Sequence, residues 1–243
     1  MGSDERHRLH LCPMAESLRI NEIFHSIQGE STWAGLPCIF VRLTGCHLRC
    51  TYCDTEYAFH EGQRQDVQNV VDEVLALPTR LVEVTGGEPL LQAPGVHALM
   101  AALCDAGCTV LLETSGACDI SVCDPRVIRI MDIKTPGSGE AVRNLWSNIE
   151  HLNDRDEVKL VIADREDYEW SVAVMQEHRL AQRVHAVLLS PIHQQPAGLE
   201  ISGHRGLAAA DLAAWMLTDA LGSNVRLQIQ THKVIWDPQQ RGV

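Results

Sequence analysis

Residues Cys38–Cys53 read CIFVRLTGCHLRCTYC. The first half, Cys38–Thr44, is rich in β-branched and aromatic residues and predicts a strand. In such a strand Arg42 shares a face with Cys38 and Phe40, so it can point inward with them. The second half places three thiols, Cys46, Cys50 and Cys53, within eight residues. A loop this short can turn all three sulfurs toward one centre, and thiolates are soft donors that suit iron–sulfur clusters or zinc. The spacing leaves three readings open. One is a four-iron cluster with three protein ligands and one iron free to bind a substrate. Another is a zinc ion completed by His47 or Cys38, and the third is a set of inert thiols.

Outward from this stretch, short β-rich runs alternate with amphipathic ones. Strands are predicted at Leu81–Thr85, Thr109–Glu113, Val127–Ile133, Glu157–Ile162, Ala186–Leu189 and Val225–Gln230. Helices are predicted at Val67–Leu77, Val96–Asp105, Ala141–Leu152, Glu166–Arg179 and Leu207–Leu221, with Gly107 closing the second. The alternation specifies an α/β fold with a parallel sheet of about six strands. A partial barrel and an open doubly wound sheet both fit, and both put chemistry at the C-terminal ends of the strands. The polar runs Gly86–Pro89, Glu113–Gly116, Asp132–Pro136 and Ser190–His193 all fall at such ends. One shared site is therefore expected.

The bulk numbers narrow the class. The chain has 243 residues, 45% of them hydrophobic, enough for one domain with a sizeable core. No linker or internal repeat divides it, so a single domain over 1–243 is expected, with 1–18 as a flexible N-terminal extension. The formal net charge of −12 repels phosphate backbones, so no nucleic-acid partner is expected. No apolar run is long enough for a membrane span, and no secretory leader opens the chain. The default is a cytoplasmic protein whose nine cysteines are reduced. Cys104, Cys108, Cys118 and Cys123 form no comparable loop and read as structural thiols.

C-x3-C-x2-C followed by Gly86-Gly87-Glu88-Pro89 resembles the radical S-adenosylmethionine (SAM) superfamily. The resemblance implies a 4Fe–4S cluster on Cys46, Cys50 and Cys53, with Tyr52 beside the adenine of SAM. Further motifs make the likeness more specific: Asn21–Phe24, Ser26–Glu30, Gly35–Pro37, Asp132–Pro136 and Gln230–Lys233. In order, from Asn21 to Lys233, they resemble the 7-carboxy-7-deazaguanine synthases.

That family converts 6-carboxy-5,6,7,8-tetrahydropterin to 7-carboxy-7-deazaguanine with loss of ammonia, on the route to queuosine and related 7-deazapurines. The resemblance implies a shortened, modified TIM barrel, usually a homodimer, with one cluster per subunit, SAM, Mg2+ and an electron donor such as flavodoxin. Carried onto this chain, SAM contacts fall on Tyr52, Gly86, Gly87, Glu88, Ser115, Asp132, Ile133, Lys134, Ser190, Pro191, Ile192 and His193. Substrate contacts fall on Ile27, Gln28, Gly29, Arg42, Thr85 and His232, with Glu30 a further acceptor, and the magnesium ligand is Thr55. Arg42 suits the substrate carboxylate because its guanidinium fork matches that geometry. The Gln28 amide suits a pterin edge. In parts of the family the chain ends soon after the His-Lys motif and its terminal carboxylate helps bind substrate. Here the chain runs on to Val243, so that contact is not carried over. Two rival readings are an activase of glycyl-radical enzymes and a zinc-stabilised binding module.

Overall fold

The computed structural model describes residues 16–195 and 205–243. Its centre is one nine-stranded sheet. The strands are β1 (Ser17–Ile27), β2 (Pro37–Leu43), β3 (Gln63–Asp66), β4 (Leu81–Gly86), β5 (Thr109–Thr114), β6 (Ile128–Asp132), β7 (Glu157–Ile162), β8 (Ala186–Pro191) and β9 (Val225–Leu227). They lie in the order β3-β1-β2-β4-β5-β6-β7-β8-β9. From β2 onward each pairing is parallel. The order never reverses, so the sheet has no switch point and curls in one direction as a partial barrel. Among the described residues β3 and β9 do not pair, and the barrel is open. The parallel set has seven strands, and β1 and β3 add an antiparallel edge that the sequence reading lacked.

The helices are α1 (Val67–Leu75), α2 (Ala93–Asp105), α3 (Arg165–Glu177), α4 (Leu180–Arg183), α5 (Ala209–Asp219) and α6 (His232–Ile235). None of them is long and apolar enough to cross a membrane. The period of two along the strands sorts the sheet into two faces. Ile39, Val41, Leu43, Val82, Val84, Val110 and Leu112 join the core shared with the helices. Cys38, Phe40, Leu81, Leu111 and Ile130 form a second, inner cluster with Phe24, Trp33 and Ile128. Further along the same inner faces come Arg42, Thr85, Glu113, Asp132 and Lys159. The barrel is therefore apolar toward the strand starts and charged toward their C-terminal ends.

Three expectations change. Ala141–Leu152 is not an α-helix but two short 3-10 turns, Ala141–Arg143 and Trp146–His151. Two asparagines explain it. Asn144 exchanges hydrogen bonds with the Lys134 backbone in both directions at 2.9 Å. Asn148 donates to Gly116 and Cys118 and accepts from Ile120. Such side chain–backbone bonds compete with the helical ladder. The last strand stops at Leu227, because the chain turns so that Gln228 can reach Ser31 and Glu30. The N-terminal extension cannot reach residue 18: Ser17 and Leu18 already pair with β3, and Leu18 is fully buried against Gly95. The rest of it, 1–15, lies outside the described residues.

One buried ion pair ties β6 to the turn before β7. The Asp156 carboxylate is fully buried and accepts from Arg129 N (2.8 Å), Nε (3.1 Å) and Nη2 (2.5 Å) and from Asn153 N (2.8 Å). Removing one partner leaves a buried charge without compensation. Asp156→Ala is expected to cost about 3–5 kcal/mol, read as a lower urea midpoint at unchanged slope.

Candidate active site

The C-terminal ends of the parallel strands surround a cavity of about 570 Å3. Of the residues expected to hold the cluster, SAM, substrate or magnesium, all but Glu88 and Ile133 line it. Cys46, Cys50 and Cys53 are free, partly buried thiols on one wall. Burial pushes all three up, Cys53 to about 11, so the metal-free loop carries neutral thiols and metal binding must displace protons. Cys38 and His47, the fourth-ligand candidates for zinc, do not line the cavity. Among the described residues, no three His, Cys, Asp or Glu side chains converge on a single-ion site.

The cysteine loop is braced from both sides. Arg49 Nη1 donates to Cys46 O (2.9 Å) and Leu48 O (2.6 Å), and its guanidinium lies 4.3 Å from the Phe59 ring centre. The segment after β6 supplies Ser138 O and Gly137 O to Thr51, and Glu140 to the Arg49 amide. The Gly86-Gly87 turn closes the other side. A Cβ on Gly87 would lie 2.7 Å from the Cys46 Cβ and strike Gly45 O, and Gly86 has φ 151° against the β2 backbone. Only glycine allows the two loops to approach this closely.

Glu88, expected as a SAM contact, is not among the residues that line the cavity. Its backbone N–H donates to Gly45 O at 2.9 Å. Its fully buried carboxylate accepts from Leu90 N (3.0 Å), Thr114 Oγ1 (2.9 Å), Ser115 N (2.7 Å) and Ser115 Oγ (2.5 Å). Glu88 is a bolt between the glycine turn and the end of β5, and it takes the proton of the Ser115 hydroxyl. Ile133 packs its side chain in the outer core and donates its backbone N–H to Lys159 O.

The opposite wall holds the expected substrate residues. Arg42 Nε donates to Glu22 Oε1 at 2.8 Å, and the guanidinium lies 5.9 Å from the ring centres of both Phe24 and Tyr57. Tyr57 donates to the same Glu22 oxygen (2.9 Å). Thr85 Oγ1 lies 3.3 Å from Glu113 Oε2. His232 packs so tightly on Gly29 that a Cβ there would strike its ring, and burial lowers its pKa. Gln28 is committed: its Nε2 donates to Glu83 and its Oε1 accepts from Glu30 N. One N–H and one lone pair of the amide remain. Thr55 Oγ1 donates to Asp54 Oδ1 (2.9 Å), and the Lys233 ammonium pairs with that carboxylate. Burial alone would raise Asp54, but Lys233 and its hydrogen bonds hold it far below the usual carboxylate range.

Several cavity residues were not singled out. Glu83, Glu113 and Lys159 stand at inward positions of β4, β5 and β7; strict alternation from Thr85 would have marked Glu83, whereas Glu113 was named only as the start of a polar run and Lys159 needed the register of β7. Lys159 donates to Glu30 (3.0 Å) and to Glu113. Burial would raise Glu30, yet Lys159, His232 and two hydrogen bonds bring it to about 2. The tail contributes as well: Pro238 to Val243 line the cavity. Arg241 stacks 3.7 Å from the Tyr57 ring centre and pairs with Glu61 at 2.9 Å.

Residues 40–179 match the family model described as the Radical SAM superfamily. A 7-carboxy-7-deazaguanine synthase from Koribacter versatilis is 43% identical, over 93% of this chain and all of that protein. Another, from Chlorobaculum tepidum, is 44% identical over 93% of this chain and 97% of that one. The chain belongs to the 7-carboxy-7-deazaguanine synthase family. It is thus a radical SAM enzyme and a carbon–nitrogen lyase, with a 4Fe–4S cluster and SAM as cofactors. The activase and zinc-module readings fall away. The fold agrees: QueE from Escherichia coli superposes with a TM-score of 0.66 at 22% identity, covering 88% of this chain and 94% of that one.

The bolt yields a prediction. Glu88→Gln keeps one acceptor oxygen but replaces the other with a donor facing Ser115. Iron content is expected to stay near the wild-type level while the KM for SAM rises about tenfold, the effect of losing roughly one good hydrogen bond in positioning. Iron analysis beside steady-state SAM kinetics checks it.

Proposed function

We propose that this cavity holds 6-carboxy-5,6,7,8-tetrahydropterin against SAM and contracts its reduced ring to 7-carboxy-7-deazaguanine with release of ammonia. The reading rests on one observation above all. A three-thiol loop and a guanidinium flanked by aromatic rings face one shared cavity. The donor set fits the cofactors. Three thiols on one wall match a cluster with an open iron, and Gly86 and Gly87 let the strand-end turn pack directly against the cysteine loop beside it. When bound, the cluster and SAM supply a carbon radical that removes one hydrogen atom from the substrate.

The remaining work belongs to the chain. Cys46, Cys50 and Cys53 give up protons to ligate iron. Gly86, Gly87, Ser115, Asp132, Lys134 and Ser190 to His193 surround SAM, and Tyr52 packs on its adenine. Lys134 keeps its charge, since Asp132 lies 2.9 Å from its ammonium. Arg42 binds the substrate carboxylate, with Glu22 fixing Nε so that the guanidinium cannot swing. Ile27 and Gly29 contribute backbone groups, and Thr85 and His232 flank the ring. The Thr55 hydroxyl donates its hydrogen bond to Asp54 and so keeps lone pairs for a magnesium ion, which would neutralise charge at the substrate carboxylate. The sheet and the segments that close the cavity pack as one unit, which supports a single domain over 1–243. A flavodoxin-like reductase as electron donor, a homodimer and a cytoplasmic location complete the proposal.

The test is an anaerobic assay. Reconstituted protein is expected to bind about four iron and about four sulfide per chain. With reductant, SAM and the tetrahydropterin it is expected to release the deazaguanine acid and ammonia. A loaded cluster that cleaves SAM but yields no ring-contracted product would sink the substrate assignment. Arg42→Lys is expected to raise the KM for the pterin about tenfold or more with smaller change in kcat, because a point charge cannot replace the fork.

A further inference from the structure

Three carboxylates and one ammonium meet at the cavity floor. Glu113 and Glu30 each bond to Lys159 Nζ. Glu83 does not. Its side chain is buried to 4% exposure and lines the cavity, and its one hydrogen-bond partner among the described residues is the Gln28 amide. The Gln28 amide is fixed in turn, because its oxygen accepts from Glu30 N. A buried carboxylate without its own cation is expensive, and the cheaper state takes up a proton. Every charged or titratable group facing Glu83 bears on this. Glu113 from β5 and Glu30 from the turn after β1 repel its charge, Cys38 from β2 adds none, and Lys159 from β7 is shared by the other two. Burial first, then Glu113 and Glu30, push the Glu83 carboxyl well above the usual range.

The position in the barrel says what this acid meets. On β4, Thr85 pairs with Arg42 of β2, and Glu83 pairs with Phe40. Two residues of strand put Glu83 roughly 7 Å deeper on the same face. With the substrate carboxylate on Arg42, the far end of a two-ring heterocycle lies in the Glu83–Phe40 layer. Phe40 supplies an apolar surface there. Glu30 and Glu113 supply acceptors, and the Lys159 ammonium is taken by them. A protonated Glu83 adds an O–H donor to this layer, where the other two carboxylates can only accept. Its Oε2 accepts from Gln28, which leaves Oε1 for an O–H.

We propose that Glu83 is a neutral carboxylic acid whose O–H donates to an acceptor atom, a carbonyl oxygen or ring nitrogen, on the pyrimidinone end of the substrate. It determines specificity, and Gln28 is its anchor rather than the reader of that edge. The inference rests on the pterin reading above.

The test compares wild-type, Glu83→Gln and Glu83→Leu holoenzymes. Glu83→Gln keeps a neutral donor, so its KM for the tetrahydropterin is expected within about threefold of wild type. Glu83→Leu is expected to raise KM at least about thirtyfold, with kcat and substrate-free SAM cleavage within about threefold, as for loss of a buried polar contact made in binding. A wild-type KM in Glu83→Leu, or a Glu83→Gln as impaired as Glu83→Leu, overturns the proposal. A second readout does not depend on the leucine variant folding. The infrared difference spectrum of wild type on adding 6-carboxypterin is expected to shift a protonated-carboxyl carbonyl band, and Glu83→Gln is expected to lack it. Absence of that band in wild type overturns the proposal as well. Wild-type enzyme making no ring-contracted product removes the pterin reading and this inference with it. Product formation beside an unchanged leucine variant removes the inference alone.

Discussion

The Glu88 carboxylate is the interaction on which the site's geometry depends. It accepts four hydrogen bonds in a place that water does not reach. Its own N–H is bound to Gly45, at the start of the cysteine loop. One residue thereby fixes the relative height of three strand ends: β2, which carries the thiols, β4, which carries the glycine turn, and β5, which ends in Ser115. A buried carboxylate accepting several N–H and O–H groups is strongly held in one orientation, since each donor would otherwise be left unmade. The cluster loop is then set by contact rather than by its own sequence, and Gly86 and Gly87 are the only residue type that permits the contact.

The charged lining follows a second constraint. A partial barrel must fill its inner face. This chain fills it with Cys38, Phe40, Leu81, Leu111 and Ile130 at one end and with ionisable groups at the other. Cations and carboxylates near the mouth pair up: Asp54 with Lys233, Lys134 with Asp132, Lys159 with Glu30 and Glu113. All but the local Lys134–Asp132 pair cross between distant parts of the chain. Lys233 and Gln230 reach the cysteine loop through Asp54, and Arg241 reaches it through Tyr57 and Glu61. The C-terminal segment is thus part of the cavity wall because its cations are needed there, whatever lies at its end.

How much of this was legible in the sequence depended on the kind of signal. β2, β4, β5, β6, β7 and β8 lie close to their expected spans, because buried parallel strands are short apolar runs between turn residues. β1 escaped notice because Asn21, Glu22 and His25 interrupt its alternation, as an antiparallel strand near the sheet edge allows. The segment 141–152 looked helical by composition, yet Asn144 and Asn148 spend their amides on distant backbone, which no local pattern reveals. The cysteine triplet and the glycine turn were legible because their chemistry demands those residue types at fixed spacing. The tail was not, since its place depends on long-range pairing by Arg241 and Lys233.

Gln28 and Glu83 show the limit of reading a site by residue type. By type, an amide suits a heterocycle edge and a carboxylate beside two others suits a cation. In the reading proposed here these assignments exchange, because every contact made within the protein subtracts from what a group can offer a ligand. Gln28 commits one N–H to Glu83 and one lone pair to Glu30 N. Lys159 is consumed by Glu30 and Glu113, so no cation is left for Glu83. The same count separates Glu88 from Ser115: the carboxylate is exhausted, whereas the hydroxyl, having given its proton, still holds lone pairs toward a cavity it lines. What a residue can do for substrate is the capacity that remains after the fold has drawn on it.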